Sequence, residues 1–203
     1  MPLFEITADA ISSLSQTTFE AEGIAERAQL RCPGTTGVGA VDGELFVVAE
    51  EVSHWEDSKR RIDILALDSD ANLVVIELKR TEDGGHMELQ ALRYAAMISA
   101  LTFEQVVQLH ADHRNKYAIP GDAREHLLAF LGWDSPREDD FAGSVRIVLV
   151  SADFSKELTT RVLWLNERRL DIRCVRLRPY KSGARVFVDA QQVIPLPEAA
   201  RPR

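Results

Sequence analysis

Two acids and an ammonium stand at the ends of apolar runs: Asp63, Glu77 and Lys79. Charges in such places are costly unless they pair with one another or hold a metal. Two carboxylates that converge repel each other, and a divalent cation relieves the repulsion. Oxygen donors of this kind suit Mg²⁺ or Mn²⁺ better than zinc. The competing reading is a surface hairpin with a salt bridge between Glu77 and Lys79.

The elements that must position these groups are legible in the stretch RIDILALDSDANLVVIELKR. Ile62 to Leu67 is apolar apart from Asp63, and Leu73 to Leu78 is rich in Val and Ile, so both read as strands. Between them Asp68-Ser69-Asp70-Ala71-Asn72 has the side chains that bond their own backbone in a tight turn. Alternation puts Glu77 and Lys79 on one face and Leu78 on the other, and the hairpin can bring Asp63 beside Glu77. After a turn, HMELQALRYAAMISAL reads as a helix with a buried stripe of Leu89, Leu92, Ala96 and Ile98. Gln90 and Tyr94 share one of its faces, since they are one turn apart. A Gln amide and a Tyr hydroxyl there can position a phosphate or a water without adding charge. His86 opens the helix and is a weaker ligand candidate.

Asp63, Glu77-x-Lys79 and the following Gln90-Ala91-Leu92-Arg93-Tyr94 resemble the motifs of the PD-(D/E)XK nuclease superfamily, in its QxxxY-bearing RecB-like and NucS (EndoMS)-like branches. The wider stretch WEDSKRRID…VVIELKRTEDGGHMELQALRYAAM is similar to bacterial proteins related to the NucS catalytic domain. The resemblance implies a restriction-endonuclease-like three-layer α/β/α sandwich with a mixed central sheet. It implies a metal held by Asp63, Glu77 and the Leu78 carbonyl, with Lys79 acting on the attacking water. It also implies a first helix whose glutamate reaches the metal. Glu26 is the choice, with Glu22, four residues earlier on the same face, as the second candidate. The Gly-rich segment CPGTTGVGAVDG departs from the more helical, polar region of those relatives.

The chain has 203 residues, enough for a full core in one domain or slightly more. Its net charge of −8 argues against coating nucleic acid by bulk electrostatics, but leaves room for local cationic contacts. One cluster is Lys59, Arg60 and Arg61, directly before Asp63. A second runs from Arg168 to Arg185, with Arg176, Arg178 and Lys181 as the chosen phosphate contacts. Trp55 could stack on a base or pack under its loop. Cys32 and Cys174 read as free thiols in a reducing cytoplasm, because MPLFEITADAISSL has no export pattern and no apolar run is long enough to span a membrane.

The remaining elements follow in order. Thr17 or Thr18 can cap a helix through FEAEGIAERAQLR. Leu45 to Val52 is a strand whose Glu50 and Glu51 point to opposite faces, and Glu51 is taken as an auxiliary acid. Thr102 to Gln105 is a capping box, and its helix carries His110 and His113, read as surface residues. Asp122 starts another helix. Val145 to Ser151 is a central strand in a parallel pair. Ser155 caps a helix, and Leu170 to Arg178 and Ala184 to Val188 are strands. The expected layout is a lead-in over 1–16, a nuclease-like domain over 17–190 with a helical insertion at about 100–135, and a tail over 191–203.

The expected function is a Mg²⁺-dependent DNA endonuclease, a homodimer in the cytoplasm. Its rivals are a catalytically silent nucleic-acid-binding or protein-interaction module on the same fold, and a nuclease acting on RNA.

Overall fold

The structure, a computed structural model, describes residues 3–23, 39–52, 61–79 and 87–195. Glu26, Cys32, Trp55, Lys59, Arg60, His86 and the tail beyond Pro195 lie outside the described residues. A small hairpin pairs β1 (Phe4–Ile6) with β2 (Ile11–Ser13). The main sheet has seven strands: β3 (Ser15–Gln16), β4 (Leu45–Val52), β5 (Ile62–Asp68), β6 (Leu73–Lys79), β7 (Val145–Ser151), β8 (Asp171–Ser182) and β9 (Arg185–Ile194). Its order is β3-β8-β7-β6-β5-β4, with β9 on the other edge of β8. Pairings β6–β7 and β7–β8 are parallel and the others antiparallel. Helices are α1 (Gly39–Asp42, one turn), α2 (Met87–Ile98), α3 (Phe103–Tyr117), α4 (Ala123–Leu131) and α5 (Lys156–Asn166). This is a mixed α/β architecture built on one seven-stranded mixed sheet.

Local chemistry explains the hairpin. Asp68 Oδ1 accepts from the amides of Asp70 at 3.0 Å and Asn72 at 2.8 Å, so the turn side chain replaces missing backbone partners. The strands on either side are nearly all buried, as central strands covered on both faces must be. The Thr102 capping box and the Asp122 and Ser155 caps are all present and set the starts of α3, α4 and α5.

Alternation sorts the core onto two faces of the sheet. Leu65, Leu67, Leu73 and Val75 meet Tyr94 and Ile98 of α2 and Phe103, Val106 and Leu109 of α3. Beside them, Ala91 packs on Leu149, Cys174 and the α5 residues Leu158 and Val162. The other face gathers Ile64, Ala66, Val74, Ile76, Val148 and Val150 under Val41 and Phe19. Thus the four longer helices all lie on one face among the described residues. At the sheet end where β6, β7 and β8 begin, Arg146 bonds Asp42 at 3.1 Å, Asp68 at 3.1 Å and Asp171 at 3.0 Å, and Arg173 adds a second ion pair to Asp42.

Several expectations are corrected. The buried stripe of α2 is Ala91, Tyr94 and Ile98, while Leu89 is 56% exposed and Ala96 also faces out. The Tyr94 ring turns inward, and that rotation moves the whole stripe. His110 and His113 are buried, not surface residues: α3 lies on β4, and His110 Nδ1 bonds the Val48 carbonyl at 2.9 Å. The stretch at 100–135 contributes Phe103, Val106, Leu109 and Leu127 to the core. Thr18 Oγ1 accepts from the Ala21 amide at 3.1 Å as a cap does, residues 19–23 form a turn that ends on Gly23 in left-handed conformation at φ +65°, and the rest of the expected helix lies outside the described residues.

Candidate functional site

The register that pairs Ile64 with Ile76 sets Asp63 opposite Glu77 when continued by one residue. On β6, alternation from Val75 puts Glu77 on the helix-covered face. The Asp63 Oδ2 accepts from the Leu78 amide at 2.8 Å, which ties the end of β5 to the end of β6. Glu77 is 1% exposed, and its Oε2 accepts from Gln90 Nε2 at 3.3 Å. The same Gln90 nitrogen lies 3.2 Å from the Tyr94 hydroxyl. Gln90 therefore spans the one-turn gap on α2 and links the sheet carboxylate to the buried phenol. Its amide supplies donors that a buried carboxylate requires.

The Asp63 and Glu77 pair offers hard oxygen donors, which fits a Mg²⁺ or Mn²⁺ ion that keeps several waters and takes one or two carboxylates from the protein. Among the described residues no group of three or more His, Cys, Asp or Glu side chains is gathered as a metal site. Glu26, the expected third acid, lies outside the described residues.

Lys79 follows Glu77 on the same face by alternation. No described residue forms a hydrogen bond or ion pair with its ammonium. Continuing across the sheet, Lys79 pairs in register with Ser151, and Ser151 with Arg176. These three lie at the end of the parallel strands, where open α/β sheets place their ligands. Ser151 was missed from the sequence. The signal was a single polar residue closing the apolar run VRIVLVS, and it acquires meaning only from the strand order.

The other expected residues are scattered. Glu51 has φ +51° and meets Arg61 at 3.5 Å and Lys116 at 3.3 Å, on the edge strand next to Asp63. Glu50 accepts from the Tyr117 hydroxyl at 3.2 Å. Arg178 is tied to the Ala152 carbonyl at 3.1 Å and to Asp153 at 2.5 Å. Lys181 bonds Glu22 at 2.7 Å. Five residues beyond Arg176 on a strand is ~16 Å, so this pair stands well away from Lys79. Hydrogen bonds from Lys181 and Thr17 hold the Glu22 carboxyl below its usual range. Glu22 is thus a partner of β8 and not a ligand beside Asp63.

No protein-family model matches this chain, and no curated protein matches it. Among solved structures, a chain from the structure of an EndoMS–dsDNA2 complex is similar at 15% identity and a TM-score of 0.42. The similarity covers 87% of this chain and 64% of that one, so this chain spans about two thirds or less of that protein's length.

Proposed function

We propose that this protein is a metal-dependent phosphodiesterase that cuts DNA. The reading is carried by one observation: the Asp63 and Glu77 carboxylates at adjacent strand ends, with Gln90 bridging Glu77 to Tyr94. The resemblance of Asp63, Glu77-x-Lys79 and Gln90 to Tyr94 to the nuclease motifs supports it.

In this reading Asp63, Glu77 and the Leu78 carbonyl hold the cation, with Glu26 completing the outer set. The cation, when bound, would lower the pKa of a water and neutralise charge on the phosphate. The Leu78 amide fixes the Asp63 carboxylate in place, so no reorganisation is needed when substrate arrives. Gln90 orients Glu77 and presents its amide towards the phosphate. Tyr94 fixes Gln90 from below. Lys79 would orient the attacking water and stabilise charge growing on the phosphoryl oxygens. Two copies would serve the two strands of a duplex.

Calorimetric titration with Mn²⁺, on wild type and Asp63→Ala, tests this. Binding by wild type that the variant loses supports the reading. Cleavage assays on single-stranded, mismatched and flapped DNA and on RNA then separate the substrates. Folded wild type that binds no Mn²⁺, with or without DNA, would sink it.

A further inference from the structure

The row Lys79, Ser151, Arg176 crosses three neighbouring strands at one level. Side chains at one level share a face. That face is fixed two residues earlier, where Leu149 and Cys174 pack together under α2 and α5. At roughly 4.8 Å per strand, two cationic side chains bracket a hydroxyl within ~10 Å.

Two buried polar atoms in this row have no hydrogen-bond partner among the described residues: Ser151 Oγ and Arg176 Nε. Ser151 is 1% exposed. A buried hydroxyl without a partner is a standing cost, and folded chains keep few of them. Replacing it by Ala would remove that cost at once, so its presence asks for a ligand that answers it. The outer nitrogens of Arg176 meet Gln191 and, at 3.8 Å, Asp153, and neither contact uses the buried Nε. The groups in the row are donors: an ammonium, a hydroxyl and a guanidinium N–H. An anion with several acceptor oxygens matches them, and a phosphate is the anion that the neighbouring carboxylate pair would process.

We infer that Lys79, Ser151 and Arg176 form a phosphate-binding shelf beside the Asp63 and Glu77 pair, which holds the nucleic-acid backbone one step from the reacting phosphate. This rests on the phosphodiesterase reading of that pair. Arg178, next on the same face of β8, is spent on Asp153 and the Ala152 carbonyl and shapes the loop after β7.

The test is fluorescence anisotropy with a labelled single-stranded DNA of about 12 nucleotides, in EDTA and again with Mn²⁺. Ser151→Ala and Arg176→Gln are each expected to weaken binding by ~10-fold, the scale of one lost hydrogen bond to a charged group. Ser151→Ala should at the same time raise the Tm of the free protein, since it removes an unsatisfied buried hydroxyl. A purely structural serine would lower the Tm and leave affinity alone. If wild type binds the probe and both variants bind it equally well, the shelf is overturned while the metal reading stands. Weakened binding in both variants, in a wild type that takes no Mn²⁺, keeps the shelf and removes the metal reading. Wild type that binds the probe under neither condition overturns both.

Discussion

The Asp63 carboxylate accepts the main-chain amide of Leu78 at 2.8 Å, across the open end of the β5–β6 hairpin. One side chain thus closes the hairpin and keeps further lone pairs at the strand end that carries Glu77. Asp63→Asn keeps an acceptor for that amide but removes the charge. The expected outcome is a variant with near-wild-type Tm whose Mn²⁺ affinity falls by more than about 100-fold, since even outer partners of metal sites cost 10–100-fold. Asp63→Ala should also lose about 1–2 kcal/mol of stability, because the Leu78 amide is left unmet. Calorimetry and thermal melts together separate the two effects.

Gln90 joins Glu77 to Tyr94. Tyr94→Phe keeps the ring in the core and removes only the hydroxyl. Its expected cost is about 1 kcal/mol of stability. DNA cleavage should fall in Tyr94→Phe and fall further in Gln90→Ala, while both stay folded by circular dichroism. A Gln90→Ala variant with undiminished cleavage would remove Gln90 from the site.

The ion network around Arg146 is a structural element distant from the site. Arg146 and Ser151 lie at opposite ends of β7, ~16 Å apart. Arg146→Ala leaves Asp68 buried without its cation and Asp42 with Arg173 alone, and breaking a buried pair in this way typically costs about 3–5 kcal/mol. Denaturant unfolding should show that loss, and Mn²⁺ affinity of the folded fraction should not change.

Burial lowers the pKa of His110 below the ordinary 6.5, and the charges of His126 and Arg114 act in the same direction against the hydrogen bond to Val48. The folded state therefore favours the neutral ring. Above pH ~6.5 the group is neutral in both states and stability is flat. Below that value the unfolded chain takes up a proton first, and stability falls until the pH passes the lowered folded value. Melts between pH 8 and pH 5 should show this decline, and His110→Gln should flatten it.

Cys174 lies under α2 and α5, and burial pushes its thiol up to about 12. The thiolate is the reactive form, so it is scarce at neutral pH. In a Cys32→Ser variant, a thiol reagent at pH 8 should label the protein only on the timescale of unfolding. Rapid labelling would show that the core opens there.

The parts of this structure set by neighbours in sequence were legible beforehand. The Asp68 turn, the Thr102 capping box and the caps at Asp122 and Ser155 depend on side chains two or three residues from the groups they satisfy. The β5–β6 hairpin was legible for the same reason, since a tight turn fixes a register. What was misread depends on which surfaces meet. Leu89 and Ala96 fit an apolar stripe as well as Ala91 and Tyr94 do, and only the packing of α2 on β6 and β7 chooses between them. His110 and His113 read as polar until α3 is laid on β4. Arg176 and Arg178 are alike in sequence, yet one keeps a buried N–H without a partner and the other is bound through its Nε to the Ala152 carbonyl. Ser151 has no meaning until β7 is placed between β6 and β8.

The register of Lys79 with Ser151 has a consequence for how the chain folds. The hairpin that carries Asp63 and Glu77 closes over a short turn, and such contacts form early. The partner strand lies some 70 residues further on, beyond three helices, and closing a loop of that length is entropically slow. The carboxylate pair can therefore be in place before its neighbours on β7 and β8 arrive. Early folding species would carry the acids without the cationic row, and the full site would come into being only with the last long-range pairing of the sheet.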